Sequence, residues 1–342
     1  ATYKTDLFSV DAFAAKLAEN SPIEQDGDVD FYGLYGSYLG FEGMTLDAYY
    51  FLLRDSRSIA DTYGTFVEEW LEDAINVDDY DPTNLHTVGM RAAGMKCNVK
   101  FDAEVAYQFG EADVYGRTTA GLGVLSPYGD DDAEFGNWGA NLMLSYSFAD
   151  PVCKPEIFVG GAYLGGEDNR DLSFGEWLGA VFCPFWSKDA SVSFNRLFSN
   201  TQYGDFVSVR DNDCTNLWVA FGGVSASPTE SLRVILSAAY VQSLADFDTP
   251  WPTFDVFGLR VTPLSFFSFL DESNSDDMCV EVALKGVYSY SEDVTLECGY
   301  SHMFLGEGAA IGHFNVANGL LTQGGTDDED ADYLYFDTKI KF

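Results

Sequence analysis

Links between the apolar-alternating segments of this chain run short, long, short, long from one end to the other. Alternation at period 2 covers twelve segments, at roughly 4–17, 29–41, 44–55, 84–96, 98–110, 135–149, 154–165, 214–226, 231–243, 278–290, 294–305 and 331–342. Successive strand residues point to opposite faces, so each segment predicts a strand with one apolar and one polar face. Short turns fall at Glu42-Gly43, Met95–Asn98, Asp150–Cys153, Ser227–Glu230 and Ser291–Asp293. Long links fall at 18–28, 56–83, 111–134, 166–213, 244–277 and 306–330. Outer-membrane barrels join their strands in this way, with short periplasmic turns and long extracellular loops. A soluble sandwich has no reason to keep the pattern. The expected fold is therefore all-β, one antiparallel transmembrane β-barrel domain over 1–342. Backbone in hydrocarbon must be fully paired, so the sheet is expected to close, and an even strand number allows it.

The last segment shows the pattern most clearly. Leu334, Phe336, Thr338, Ile340 and Phe342 share one face, and Asp337, Lys339 and Lys341 the other. A terminal aromatic such as Phe342 is what bacterial barrel-insertion machinery recognises. That places the C-terminus in the periplasm, and counting back places Ala1 there too. No signal peptide is present, so either it was removed to leave Ala1 or the sequence starts inside a longer protein.

Aromatics reach 16% and glycines number 33, as girdles and barrel strands require. No stretch approaches the roughly 18–20 apolar residues of a membrane helix. The net charge of -37 excludes a nucleic-acid binder, because phosphate neutralisation needs clustered Lys and Arg. It permits cation attraction, divalent-ion bridging or life in salt. The acids gather in the long links, as in Asp130-Asp131-Asp132 and Asp327-Asp328-Glu329-Asp330. Carboxylate clusters suit calcium, but none has EF-hand spacing.

Six cysteines lack any C-x-x-C spacing and only His86, His302 and His313 accompany them, so neither a metal site nor a cofactor is expected. Cys183 and Cys214 flank one long loop and are the first candidate disulfide. Cys97 and Cys153 are the second, and Cys298, on an outward face, is expected free. Within 56–83, Phe66, Val67, Trp70, Leu71 and Ala74 recur at helical spacing, which predicts a helix over 65–76, in the mouth or on its rim. The loop 166–213 holds Phe174, Trp177, Phe182, Phe185, Trp186 and Phe194, enough to pack over the mouth or against a protein partner.

Several phrases, in order, resemble the alginate-export family of bacterial outer-membrane β-barrels. They include Tyr32-Gly-Leu-Tyr35, Leu46-Asp-Ala-Tyr-Tyr50, Leu85-His-Thr-Val-Gly-Met-Arg91, Ala103-Glu-Val-Ala-Tyr-Gln-Phe-Gly110, Phe194-Asn-Arg-Leu-Phe198 and Tyr290-Ser-Glu-Asp-Val-Thr-Leu-Glu-Cys-Gly-Tyr-Ser301. The resemblance implies an outer-membrane channel, typically of about eighteen strands, in some members passing an anionic uronate polymer. This chain would then be its C-terminal part; a self-contained twelve-strand barrel is the alternative.

The polar faces supply candidate pore-lining residues: Asp47, Arg91, Lys100, Asp102, Glu104, Arg233, Glu281, Lys285, Glu297, Asp337 and Lys339. A polyanion exporter should line its pore with Arg and Lys. Here the signs are mixed, which points away from alginate as cargo. The expected function is passive passage of small solutes, ions or a polymer across the bacterial outer membrane, with lipids as surroundings. The alternative is a plugged barrel that houses or anchors a partner without conducting. An enzyme is not expected: Ser301 and His302 are adjacent on a strand and point to opposite faces.

Overall fold

The computed structural model describes residues 1–18, 28–56, 83–112, 133–149, 152–166, 191–197, 215–244, 254–256, 259–261, 276–306 and 330–341. The expected helix over 65–76, the Cys183–Cys214 pair and Phe342 lie outside them. Seventeen strands occur among the described residues. The first nine are β1 (Thr2–Lys4), β2 (Phe8–Ala18), β3 (Val29–Tyr38), β4 (Met44–Asp55), β5 (Thr83–Lys96), β6 (Val99–Ala112), β7 (Ala133–Phe135), β8 (Trp138–Ser147) and β9 (Glu156–Leu164). The rest are β10 (Ser191–Val192), β11 (Leu217–Ala226), β12 (Leu232–Ser243), β13 (Phe254–Val256), β14 (Leu259–Val261), β15 (Asp277–Ser289), β16 (Val294–Leu305) and β17 (Ala331–Ile340).

Thirteen of them form one path in chain order, β1-β2-β3-β4-β5-β6-β8-β9-β11-β12-β15-β16-β17, antiparallel throughout. β7 folds against the end of β6, β10 lies parallel to β7, and β13 pairs only with β14. The twelve expected strands are all present. The first is broken, because the Thr5 hydroxyl accepts the amides of Leu7 and Phe8 and turns the chain there. β1 therefore pairs back on β2 as a short hairpin. The expected closure is not found: β1 and β17 are the two edges of the sheet and do not pair with each other.

Turn chemistry holds the register. Cys97 and Asn98 both have positive φ, 52° and 65°, which is the geometry of a two-residue hairpin turn matched to strand twist. Cys97, Cys153 and Cys298 are unpaired. The expected Cys97–Cys153 bond is thus not formed.

The two faces differ sharply. One carries Val88, Met90, Val105, Leu142, Val159, Leu236, Leu284, Leu334 and Phe336, all exposed. Leu334 and Phe336 reach 74% and 69% exposure, a state that only lipid makes favourable for such side chains. The opposite face has two zones. Toward the short turns it is charged. Toward the long loops it is apolar and buried, with Leu164, Leu217, Val219, Val241 and Cys279 in one cluster.

Candidate polar wall and cavity

Cross-strand partners lie on the same face of a sheet. Asp47, Arg91, Glu104 and Asn141 are partners in sequence across β4, β5, β6 and β8. Following the register onward puts every candidate lining residue on this one face. They fall into separate groups. The Arg91 guanidinium donates to both oxygens of Asp102, at 2.8 and 2.6 Å. Arg233 reaches Glu156 at 3.2 Å and donates to the Ser225 hydroxyl. Glu297 takes Lys285 at 3.5 Å, Lys339 at 3.2 Å and the Tyr335 hydroxyl at 2.9 Å. Asp337 lies 3.8 Å from Lys339. Glu281 is almost fully buried and accepts the Ser301 hydroxyl at 2.5 Å. Lys100 has no ion pair among the described residues.

Most cations on this wall are therefore matched by a carboxylate within the wall. Such pairs hold strands in register but project little net field. Of the mixed signs seen in the sequence, Arg91, Arg233, Lys285 and Lys339 form cross-strand pairs with Asp102, Glu156 and Glu297.

Aromatic rings were not foreseen here. Phe13, Gly33 and Phe51 are register partners across β2, β3 and β4, and Tyr49 is the partner of Gly89. A Cβ on Gly33 would strike the Phe13 ring, and one on Gly89 the Tyr49 ring. Both rings lie flat over the hydrogen of a glycine. Tyr49 then extends across β5, and its hydroxyl donates to Glu104 on β6 at 2.6 Å. Phe51 stacks on Tyr49 at 4.7 Å, Tyr35 lies parallel to Tyr49 at 5.9 Å, and Phe31 touches Phe51 at 5.5 Å. The signal available in sequence was the pairing of aromatic and glycine at registered positions, which only the register reveals.

A strap crosses the same face. Residues 193–197 leave β10 and seat the Phe194 ring over Gly139, where a Cβ would strike it. The Phe194 amide donates to the Gly165 carbonyl at 2.9 Å. Gln108, fully buried, grips the main chain of Asn195 from both sides: its amide nitrogen donates to the Asn195 carbonyl and its oxygen accepts the Asn195 amide, each at 2.7 Å. The same nitrogen donates to Thr87 at 3.1 Å. Between the strap and the aromatic strip lies a cavity of about 410 Å³.

Ser301 and His302 are separated as expected. Ser301 serves Glu281 on the polar face, and His302 pairs with Asp332 at 2.8 Å on the other. No cluster of three or more metal-ligating side chains occurs among the described residues.

A sheet of lipid-exposed and polar faces joined by alternating short and long links defines an outer-membrane β-barrel wall. The alginate-export family matches residues 1–312, and the chain belongs to that family. It is a bacterial outer-membrane protein with a channel-like role in transport. No curated protein matches it. Among solved structures it is similar to the toluene transporter TodX of Pseudomonas putida, at 11% identity and a TM-score of 0.27, over 88% of this chain and 74% of that one. It is also similar to the ferric-catecholate import receptor Fiu of E. coli K12, at 12% identity and 0.36, over 98% and 52%. OmpT of Vibrio cholerae aligns at 9% identity and 0.24, over 88% of each chain. Scores this low carry no argument beyond the family.

Proposed function

We propose that this single-domain chain lines a passive channel for small solutes and ions that prefers cations over polyanions. The observation behind it is the matched wall. Arg91, Arg233, Lys285 and Lys339 each have a carboxylate partner within 4 Å, so they form no free basic ladder. A polymer of carboxylates would have to displace those partners at every step. The unbalanced charge of the molecule is negative, at -37, and cations gather where acids are in excess. We assign the pore-lining role to the candidate residues of the polar face other than Asp47 and Glu281, which are buried. No catalytic role is proposed, since Ser301 and His302 serve different faces. Insertion through the terminal Phe342 belongs to the same reading.

The test is the reversal potential of the refolded chain in a planar bilayer under a salt gradient. A cation-to-anion permeability ratio above one is expected. A ratio below one overturns the preference. Heat-modifiable protein that does not conduct overturns the channel in favour of a plugged barrel.

A further inference from the structure

The cavity between strap and wall has an unusual lining for a polar face. One side is paved by Tyr35, Tyr49, Phe51 and Phe31, with Tyr35 and Tyr49 parallel to within 2°. Tyr49, seated over Gly89, presents its ring face, where the π-cloud is negative, and such faces attract the weakly positive C–H groups of an apolar ring face. The other side is the strap, Phe194 to Leu197. The volume of about 410 Å³ falls within the roughly 300–1,000 Å³ of small-molecule sites.

The polar groups narrow the choice. Asn141 lines the cavity, and its side-chain oxygen is shielded from solvent yet has no partner among the described residues. It is an acceptor that lacks a donor. The charges are already satisfied. Arg91 donates twice to Asp102, Glu104 accepts Tyr49, and Arg196 is engaged as well. An anionic ligand would have to displace Asp102 from Arg91. A bare hydrocarbon would leave the Asn141 oxygen unmet. A neutral ring with an apolar face and a hydroxyl rim meets both demands.

The geometry points to a binding station for a neutral saccharide at this cavity, with sugar rings lying on Tyr49 and Phe51 and a hydroxyl donating to Asn141 Oδ1. The assignment rests on the channel reading only in so far as the polar face is the lumen. Two of its features, the glycine seat and the strap, also fix the station's depth. Tyr49 slides across Gly89 and cannot rise without losing Glu104, and the strap cannot retreat without losing Gln108.

The test combines calorimetry on the refolded chain in detergent with conductance in a planar bilayer, using maltotriose, trigalacturonate and toluene as probes. Maltotriose is expected to bind and to interrupt the ion current. Binding should weaken at least tenfold in Tyr49→Leu and in Asn141→Leu, and persist in Tyr49→Phe, which keeps the ring. Heat-modifiable migration shows that each variant has folded; should Tyr49→Leu fail to fold, Phe51→Leu replaces it and should weaken binding likewise. No heat with maltotriose from protein that conducts overturns the station and leaves the channel standing. Heat with maltotriose and no conductance overturns the channel and leaves the station standing. Trigalacturonate or toluene binding as tightly as maltotriose overturns the neutral-saccharide assignment.

Discussion

Tyr49 joins three interactions that belong to different levels of the molecule. Its ring lies on Gly89, its face stacks on Phe51, and its hydroxyl holds Glu104 two strands away. Gly89 is the least replaceable partner, because any side chain there occupies the space of the ring. Gly89→Ala is expected to lift Tyr49, break the Glu104 bond and destabilise the barrel by about 1–3 kcal/mol, as overpacking does elsewhere. The temperature of heat-modifiable unfolding on a gel measures it; an unchanged midpoint would show that the ring has room to move. Such seats were illegible in the sequence. Alternation marks faces, and a glycine belongs to neither an apolar nor a polar class. The charged residues were legible as a face for the opposite reason, since period 2 assigns each one directly. Their pairing was not, because Arg91 chooses Asp102 diagonally over its direct partners Asp47 and Glu104.

At the scale of elements, the strap is the feature that period-based reasoning handles worst. Residues 193–197 have no alternation, and their one turn residue, Asn195, whose side-chain oxygen accepts the Leu197 amide, does not say where on the wall the segment sits. The phrase containing Phe194 carries the family resemblance and is rich in aromatics, but nothing in it marks a position on the wall. What fixes it is one buried side chain on another strand, Gln108, and one ring over Gly139. Gln108→Leu would remove both bonds to the Asn195 backbone and leave those groups unpaired, at a cost of about 1–3 kcal/mol. The expected result is a released strap and a larger single-channel conductance with unchanged heat-modifiability. Equal conductance would mean that the strap does not narrow the path. Strands were far easier to place. Their bounds follow from turns and apolar alternation, and only the Thr5 turn divided one of them.

At the scale of the whole molecule, the outward face is set by lipid and the opposite face by charge pairing and rings. Phe336 stands midway along β17 on the exposed apolar face. Phe336→Arg is expected to cost about 2–4 kcal/mol, the range for a cation facing lipid near the midplane, and to reduce insertion into vesicles; Lys339→Gln, on the polar face, should insert normally. Equal insertion of both would contradict the assignment of faces. The sequence pattern made the membrane topology legible because it repeats along the chain. It does not determine closure, since edges pair through backbone groups that every residue has, and the expected closure is not met: β1 and β17 do not pair. The self-matched wall has one more consequence. If its cations are spoken for, the field that sorts ions comes from the excess of acidic residues over the whole chain, a net charge of -37. Such a field reaches about 30 Å at 0.01 M salt and about 3 Å at 1 M. Discrimination would then be a property of the surrounding water as much as of the protein: strong in dilute media, fading toward a permeability ratio of one in brine, with the wall unchanged.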